Sequence, residues 1–152
     1  MQNTCESLLT ESLSEALETM AFIMVMPPAE EPAAPQEAVQ VTMQFTGPKS
    51  GTVELMAGKD FLIAMAANVL GVDPGEEEAQ AKGVDAFREI LNTTCGVLLP
   101  KLASSPADVF NVTLPEDESF VGPEHWHKFV SQEGAVVLDA DGSPLACRLV
   151  IR

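Results

Sequence analysis

Three residues with side chains suited to polar chemistry, Asp85, Glu89 and Asn92, follow one another at spacings of four and three. At about 100° per residue in an α-helix, they fall within about 60° of one another, and Gly96 lies in the same stripe. A carboxylate can pair with a cation, and the Asn92 carboxamide offers a hydrogen-bond donor and acceptor on a rigid helix. The spacing therefore indicates a polar helix face that could bind a partner or orient a reactant.

The opposite side of this helix is apolar, which predicts that it packs on a sheet while the polar stripe faces outward. Acidic residues are ordinary on a solvated helix face. Asn92 and Gly96 are less ordinary, because both are poor helix formers and glycine costs about 1 kcal/mol relative to alanine. The residues alone leave two interpretations open, a solvated face or an interaction or catalytic face. The predicted buried side carries Phe87, Ile90, Leu91, Thr94 and Leu98.

A longer pattern extends this stripe. Asp85, three residues, Glu89, two residues, Asn92, twenty-two residues and Pro115 follow in that order. This pattern resembles the signature of the CheC/CheX/FliY chemotaxis phosphatase family, in which all four positions and all three spacings recur. The run EILNTTCG around Asn92 is also similar to the family.

The resemblance implies hydrolysis of the aspartyl phosphate on a CheY-like response-regulator receiver domain. It assigns catalysis to Glu89, which would contact the receiver's lysine, and to Asn92, which would orient the attacking water. It places Asp85 at the rim of the contact and Pro115 in the loop or strand end beside the helix. With Gly96, whose missing side chain would let another backbone approach, these are the expected partner-binding residues. No cofactor of the chain's own is implied, and Mg²⁺ is expected on the receiver. The alternative is a non-catalytic CheX-like adaptor that binds a phosphorylated receiver or a flagellar switch protein.

The first predicted helix carries a partial copy of the pattern, Ser7, three residues, Glu11, two residues and Ser14. A serine hydroxyl is too short to replace the carboxamide, and the position that would hold the proline is Glu37. We interpret this stripe as vestigial or structural. A single site on the second long helix resembles the CheX branch of the family, which implies a homodimer.

Charge and composition narrow the classes of partner. The formal net charge of -15 disfavours phosphate backbones and anionic lipid, so neither nucleic acid nor membrane is an expected partner. The three cysteines are widely spaced without a CxxC pair, which predicts reduced thiols rather than a disulfide scaffold. The first fifteen residues lack a basic leader followed by an apolar core, so we expect a cytoplasmic protein.

The elements that must position the stripe predict an α/β fold of the α+β type. Hairpins rather than βαβ crossovers indicate a two-layer domain over residues 1–152, with a mostly antiparallel sheet covered on one face by long helices. A Pro-rich loop occupies residues 27–37, and the order of elements suggests a faint internal pseudo-repeat. Helices are predicted over 3–26, 59–70 and 73–99, and strands over 39–46, 52–56, 109–114, 135–139 and 145–151.

His125, Trp126 and His127 could suggest a metal site. Two histidines at i and i+2 do not share a helix face, and zinc needs three or four ligands. We therefore predict no metal site and interpret residues 116–127 as a loop anchored by Trp126, with a turn of helix near residues 123–128.

Overall fold

The computed structural model describes residues 2–152, with side chains from Thr4 onward. These residues form four helices and seven strands. In chain order they are α1 (Gln2–Ala21), β1 (Val25–Met26), β2 (Glu37–Thr46), β3 (Gly51–Gly58), α2 (Lys59–Leu70), α3 (Glu77–Leu102), β4 (Asn111–Val112), β5 (Glu116–Val121), α4 (Glu124–Val130), β6 (Val136–Ala140) and β7 (Ser143–Ile151).

All strand pairs are antiparallel, and the sheet order is β1-β6-β7-β3-β2, with β4 and β5 both pairing with the outer edge of β2. β3 and β7 meet at the centre, where Leu55 pairs with Cys147. The three longer helices cover one face of this sheet, with α1 and α2 packed against α3. The predicted two-layer α+β architecture with an antiparallel sheet is therefore confirmed.

Strand alternation builds the main core, because successive side chains point to opposite faces of a sheet. In β2, Val39, Val41, Met43 and Phe45 point toward the helices and are buried. The side of α3 predicted to be apolar meets them, and its Phe87, Ile90, Leu91, Thr94 and Leu98 are each 0% exposed. This buried face fixes the rotation of α3 and therefore decides which residues face outward.

The internal pseudo-repeat is visible in the topology. In the first half, α1 leads to the two-residue strand β1 and then to the β2–β3 hairpin. In the second half, α3 leads to the two-residue strand β4, and the β6–β7 hairpin follows. Each short strand pairs with the hairpin of the other half, β1 with β6 and β4 with β2, and β3 and β7 meet between the halves.

The ends of two predicted helices were wrong. α1 stops at Ala21 because Phe22 adopts a left-handed conformation (φ 57°) and the Ile23 amide donates to the Leu17 carbonyl at 3.2 Å, so Val25–Met26 can pair with β6. α3 begins at Glu77 rather than at residue 73, and it extends through Pro100 to Leu102.

The region after α3 also differs from the predicted one. The strand predicted over residues 109–114 is reduced to Asn111–Val112, and the predicted loop after it contains β5. Because β5 lies at the sheet edge and its first four residues are exposed, charged side chains do not interrupt it.

The second face of the sheet carries α4, one turn longer than the predicted turn of helix. Trp126 and Phe129 of α4 are buried against Ala38, Met56 and Ala146. His125 stacks on Phe120 with ring centroids 4.3 Å apart. Within residues 2–152, no group of three or more His, Cys, Asp or Glu side chains could hold a metal ion.

The proline-rich segment, residues 27–36, has no helix or strand and ends where β2 begins at Glu37. Across the described part of the chain, no helix has the length and apolar character needed to cross a membrane.

Candidate functional site

The helix α3 presents the predicted polar stripe on its outer face. Asp85, Glu89 and Asn92 are exposed, whereas the intervening Phe87, Ile90 and Leu91 are fully buried. The stripe begins two turns into a 26-residue helix, so the backbone under it is held by intrahelical hydrogen bonds on both sides. The three side chains therefore stand on a rigid support and remain accessible to a second molecule.

Pro115 lies beside this stripe although it follows Asn92 by twenty-three positions. The chain leaves α3, pairs briefly with β2 through β4 and returns toward the helix before β5 begins. A depression of about 230 Å³ results at the junction. It is lined by Asp85, Arg88, Glu89, Asn92, Leu114 and Pro115. The fold thus brings together four of the five sequence-predicted site residues.

Some charged residues around the depression form ion pairs within the described part of the chain, and Glu89 does not. Asp85 lies 3.8 Å from Lys82 and 4.0 Å from Arg88, and Arg88 also lies 3.7 Å from Asp117. These pairs are well exposed and therefore contribute little to stability. Within residues 2–152, no cation of the chain lies within ion-pair distance of Glu89. The Glu89 carboxylate can therefore accept a cation from another molecule without breaking an internal pair.

Gly96 is exposed but does not line the depression. It borders a separate cavity of about 620 Å³, which Leu99 and Phe110 also line. A Cβ atom placed on Gly96 would meet nothing within 4 Å. No contact within the described chain therefore requires a glycine there, and the open space continues the outer face of α3 for one turn past Asn92.

Replacement of Gly96 separates helix stability from partner contact. Gly96→Ala and Gly96→Gln should both raise stability by up to about 1 kcal/mol, or a few degrees in Tm, because both residues are better helix formers. If a partner approaches this surface, the Gln side chain should weaken its binding by about tenfold or more, and Ala should weaken it less. Thermal unfolding measures the first effect, and titration with a CheY-like receiver, the partner that the sequence resemblance implies, measures the second. A stabilised Gly96→Gln variant with unchanged binding would remove Gly96 from the interface.

Cys95 is the nearest thiol to the site, and its environment excludes it as a nucleophile. It is 2% exposed, and burial raises its pKa to about 12. A thiol protonated at neutral pH reacts slowly, since the thiolate is the nucleophile. Burial also raises the pKa of Cys147 to about 12. This residue belongs to β7 and lies in the core between the sheet and the helices. Neither Cys95 nor Cys147 is therefore suited to a cysteine-phosphatase mechanism.

The stripe on α1 lies apart from this site. Ser7 and Glu11 line a different depression of about 410 Å³, together with Glu6, Thr10 and Val136. The Glu11 carboxylate lies 3.8 Å from the Lys101 ammonium, whereas no cation of the described residues lies within ion-pair distance of Glu89. Ser14 is partly buried. The α1 stripe therefore offers natural comparison positions for Glu89 and Asn92.

Two lining residues, Arg88 and Leu114, were missed by the sequence reasoning. Arg88 lies about 40° from Asn92 around the helix, so its position beside the stripe could have been predicted from helical periodicity. Leu114 is 82% exposed, and its place depends on the path between β4 and β5. Because one continuous strand was predicted over residues 109–114, the sequence did not indicate that the chain turns back toward α3 after β4.

Solved structures share this fold at low sequence identity. The CheX protein of Desulfovibrio desulfuricans has a TM-score of 0.70 at 16% identity, covering 98% of this chain and 99% of that one. CheX of Vibrio vulnificus gives 0.69 at 18% identity, covering 100% and 99%. CheX of Borrelia burgdorferi, solved in complex with CheY, BeF3 and Mg²⁺, gives 0.66 at 18% identity, covering 96% of each chain.

Comparisons of the sequence itself identify the family of this chain. No curated protein matches the chain. A family model described as "Chemotaxis phosphatase CheX" matches residues 39–118, which include Asp85, Glu89, Asn92 and Pro115. Because that match spans just over half of the chain, the chain belongs to the CheX family of chemotaxis phosphatases.

Proposed function

We propose that this protein hydrolyses the aspartyl phosphate of a CheY-like receiver domain, with Glu89 and Asn92 as the catalytic residues. One observation carries the proposal. The fold brings Asp85, Glu89, Asn92 and Pro115, the four positions of the phosphatase signature, to one exposed depression. The helix α3 gives Asn92 a fixed backbone, and the depression leaves its side chain open to a partner.

The class of substrate is supported by the Borrelia burgdorferi CheX protein, whose fold this chain shares and whose complex contains CheY, BeF3 and Mg²⁺. In such a complex, the beryllium fluoride group stands in for the phosphoryl group on the receiver's aspartate. A similar partner for this chain would be a receiver domain that carries both the acyl phosphate and the Mg²⁺.

In this reaction, no atom of the phosphatase forms or breaks a covalent bond. A water oxygen bonds to phosphorus, the bond from phosphorus to the aspartate oxygen breaks, and the bonding electrons stay on the released carboxylate. Both protons of the water leave with inorganic phosphate, which is released as H2PO4⁻. Catalysis of such a transfer rests on positioning and charge stabilisation. The Asn92 carboxamide can bond to the water while the receiver's own Mg²⁺ and lysine stabilise the phosphoryl charge.

Glu89 is the partner for the receiver's lysine in this proposal. Its carboxylate is exposed and lies one helical turn before Asn92. An ion pair at Glu89 would fix the distance between the receiver and the carboxamide. Asp85 would contact the rim of the receiver, and Pro115 would hold the segment that forms the other side of the depression. A receiver substrate would place the protein's activity in the cytoplasm.

The test is the decay of a phosphorylated CheY-like receiver from the same organism, with and without the protein. Faster release of inorganic phosphate supports the phosphatase. Binding to the beryllium-fluoride-activated receiver without faster decay would contradict catalysis and support the adaptor alternative. Neither binding nor faster decay for any receiver of that organism would contradict both.

We also propose that the protein is a homodimer, as its similarity to the CheX branch implies. Phe22 and Met24, with Met26 of the short edge strand β1, are 78%, 66% and 56% exposed. Such a run of large apolar side chains beside a sheet edge would be stabilised by a second copy. Light scattering should give twice the chain mass, and a Met24→Glu, Met26→Glu variant should give the chain mass. A wild-type monomer at micromolar concentration would contradict the dimer.

A further inference from the structure

We propose that Leu114 is the apolar anchor for the receiver domain and supplies the part of the affinity that salt does not weaken. This inference rests on the proposed function, because the receiver is the partner in question. Leu114 is 82% exposed, and it lines the same depression as Glu89 and Asn92. A receiver that brings its acyl phosphate to Asn92 must therefore cover Leu114 as well.

The backbone around Leu114 is fixed by its neighbours. The backbone N–H of Thr113 donates to the backbone carbonyl of Gln44 at 2.9 Å. The backbone N–H of Gln44 donates to the Thr113 hydroxyl at 3.0 Å. Two residues earlier, Val112 pairs with Phe45, whose side chain lies in the core under the helices. Since alternate residues of an extended segment share a face, Leu114 points to the side of the sheet that carries α3.

An exposed leucine alone is ordinary, but Leu114 is exposed among polar side chains at the candidate site. Apart from Pro115, the other residues that line the depression are charged or polar: Asp85, Arg88, Glu89 and Asn92. Ion pairs from such residues orient a partner, but salt screens them. Burial of Leu114 would add affinity that salt does not weaken. We expect this contribution to be about tenfold to a hundredfold in KM.

The test compares three variants in the receiver-dephosphorylation assay. Leu114→Ser removes the apolar side chain, and Leu114→Met keeps it. Val121→Ser is the matched control, since Val121 is 78% exposed at the other end of β5 and lines a different cavity. Leu114→Ser should raise KM about tenfold to a hundredfold with kcat within about twofold, and by the same factor at low and high salt. The Met variant and the control should stay within about twofold of wild type.

The outcomes separate this inference from the proposed function. Normal catalysis by the wild type with an unchanged KM for Leu114→Ser would overturn the anchor and leave the phosphatase intact. If the wild type binds the beryllium-fluoride-activated receiver without speeding decay, the phosphatase fails, and Kd for that complex tests Leu114 by the same criterion. A kcat lowered with KM unchanged would also overturn the anchor.

Discussion

Replacing Asn92 with alanine is expected to reduce kcat for receiver dephosphorylation by about a hundredfold to a thousandfold, the usual cost of losing one positioned hydrogen-bonding group. Asn92 is exposed, and alanine is the better helix former, so the variant should be at least as stable as the wild type. KM should change less than kcat, because the proposed bond is made to the attacking water. Initial rates over a range of receiver-phosphate concentrations separate the two constants.

Two further variants refine this expectation. Asn92→Asp keeps the shape but places a negative charge beside the phosphoryl group, so it should be as inactive as alanine. Ser14→Ala occupies the matching position of the α1 stripe and should leave kcat within about twofold. A large effect of Ser14→Ala would show that the α1 stripe takes part in the reaction and would refute its interpretation as vestigial.

The second large effect is expected at Glu89. Glu89→Gln should raise KM for the receiver by about tenfold to a hundredfold, since a hydrogen bond to a charged group contributes about 1.5–3 kcal/mol. Glu89→Lys should raise it further, because two cations would then oppose each other. Titration of the beryllium-fluoride-activated receiver measures the same loss as Kd.

Salt dependence and a matched position test the cause of this loss. If an ion pair with the receiver's lysine is responsible, wild-type binding should weaken with salt more than that of Glu89→Gln. Glu11→Gln on α1 removes a carboxylate that already pairs with Lys101 and should leave KM unchanged. Equal losses in Glu89→Gln and Glu11→Gln would indicate a general effect of net charge and contradict a specific pair at Glu89.

Periodicity made much of the fold predictable from the sequence. The helix over residues 59–70 was predicted at its observed bounds, because five buried side chains lie between Phe61 and Ala67 and Gly71 ends it with a left-handed conformation (φ 70°). The outward stripe of α3 was predictable for a related reason, since the spacing of Phe87, Ile90 and Leu91 fixes the buried side. Asp141 and Gly142, with φ 53° and 90°, form the tight turn of the β6–β7 hairpin, a turn for which an Asp-Gly pair is a strong sequence signal.

The errors lie where tertiary contacts outweigh local pattern. The apolar periodicity of α1 continues past Ala21, but pairing of Val25 with Ala140 takes the chain into the sheet. β5 has no alternating apolar residues, and its existence depends on the free edge of β2. The place of Leu114 depends on that same edge. Spacing along α3 and the signature could therefore indicate Asp85, Glu89, Asn92 and Pro115, whereas Leu114 could not be predicted from them.

The role of the Asn92 carboxamide is tested most directly by a single-turnover measurement on a phosphorylated receiver that is fully bound. Binding to the beryllium-fluoride-activated receiver first sets concentrations at which wild type and Asn92→Ala occupy it equally. The phosphorylated receiver should then lose phosphate rapidly in the wild-type complex and at close to its own intrinsic rate in the Asn92→Ala complex. Equal, accelerated decay in both complexes would show that the Asn92 carboxamide does not orient the attacking water, and it would contradict the proposed mechanism.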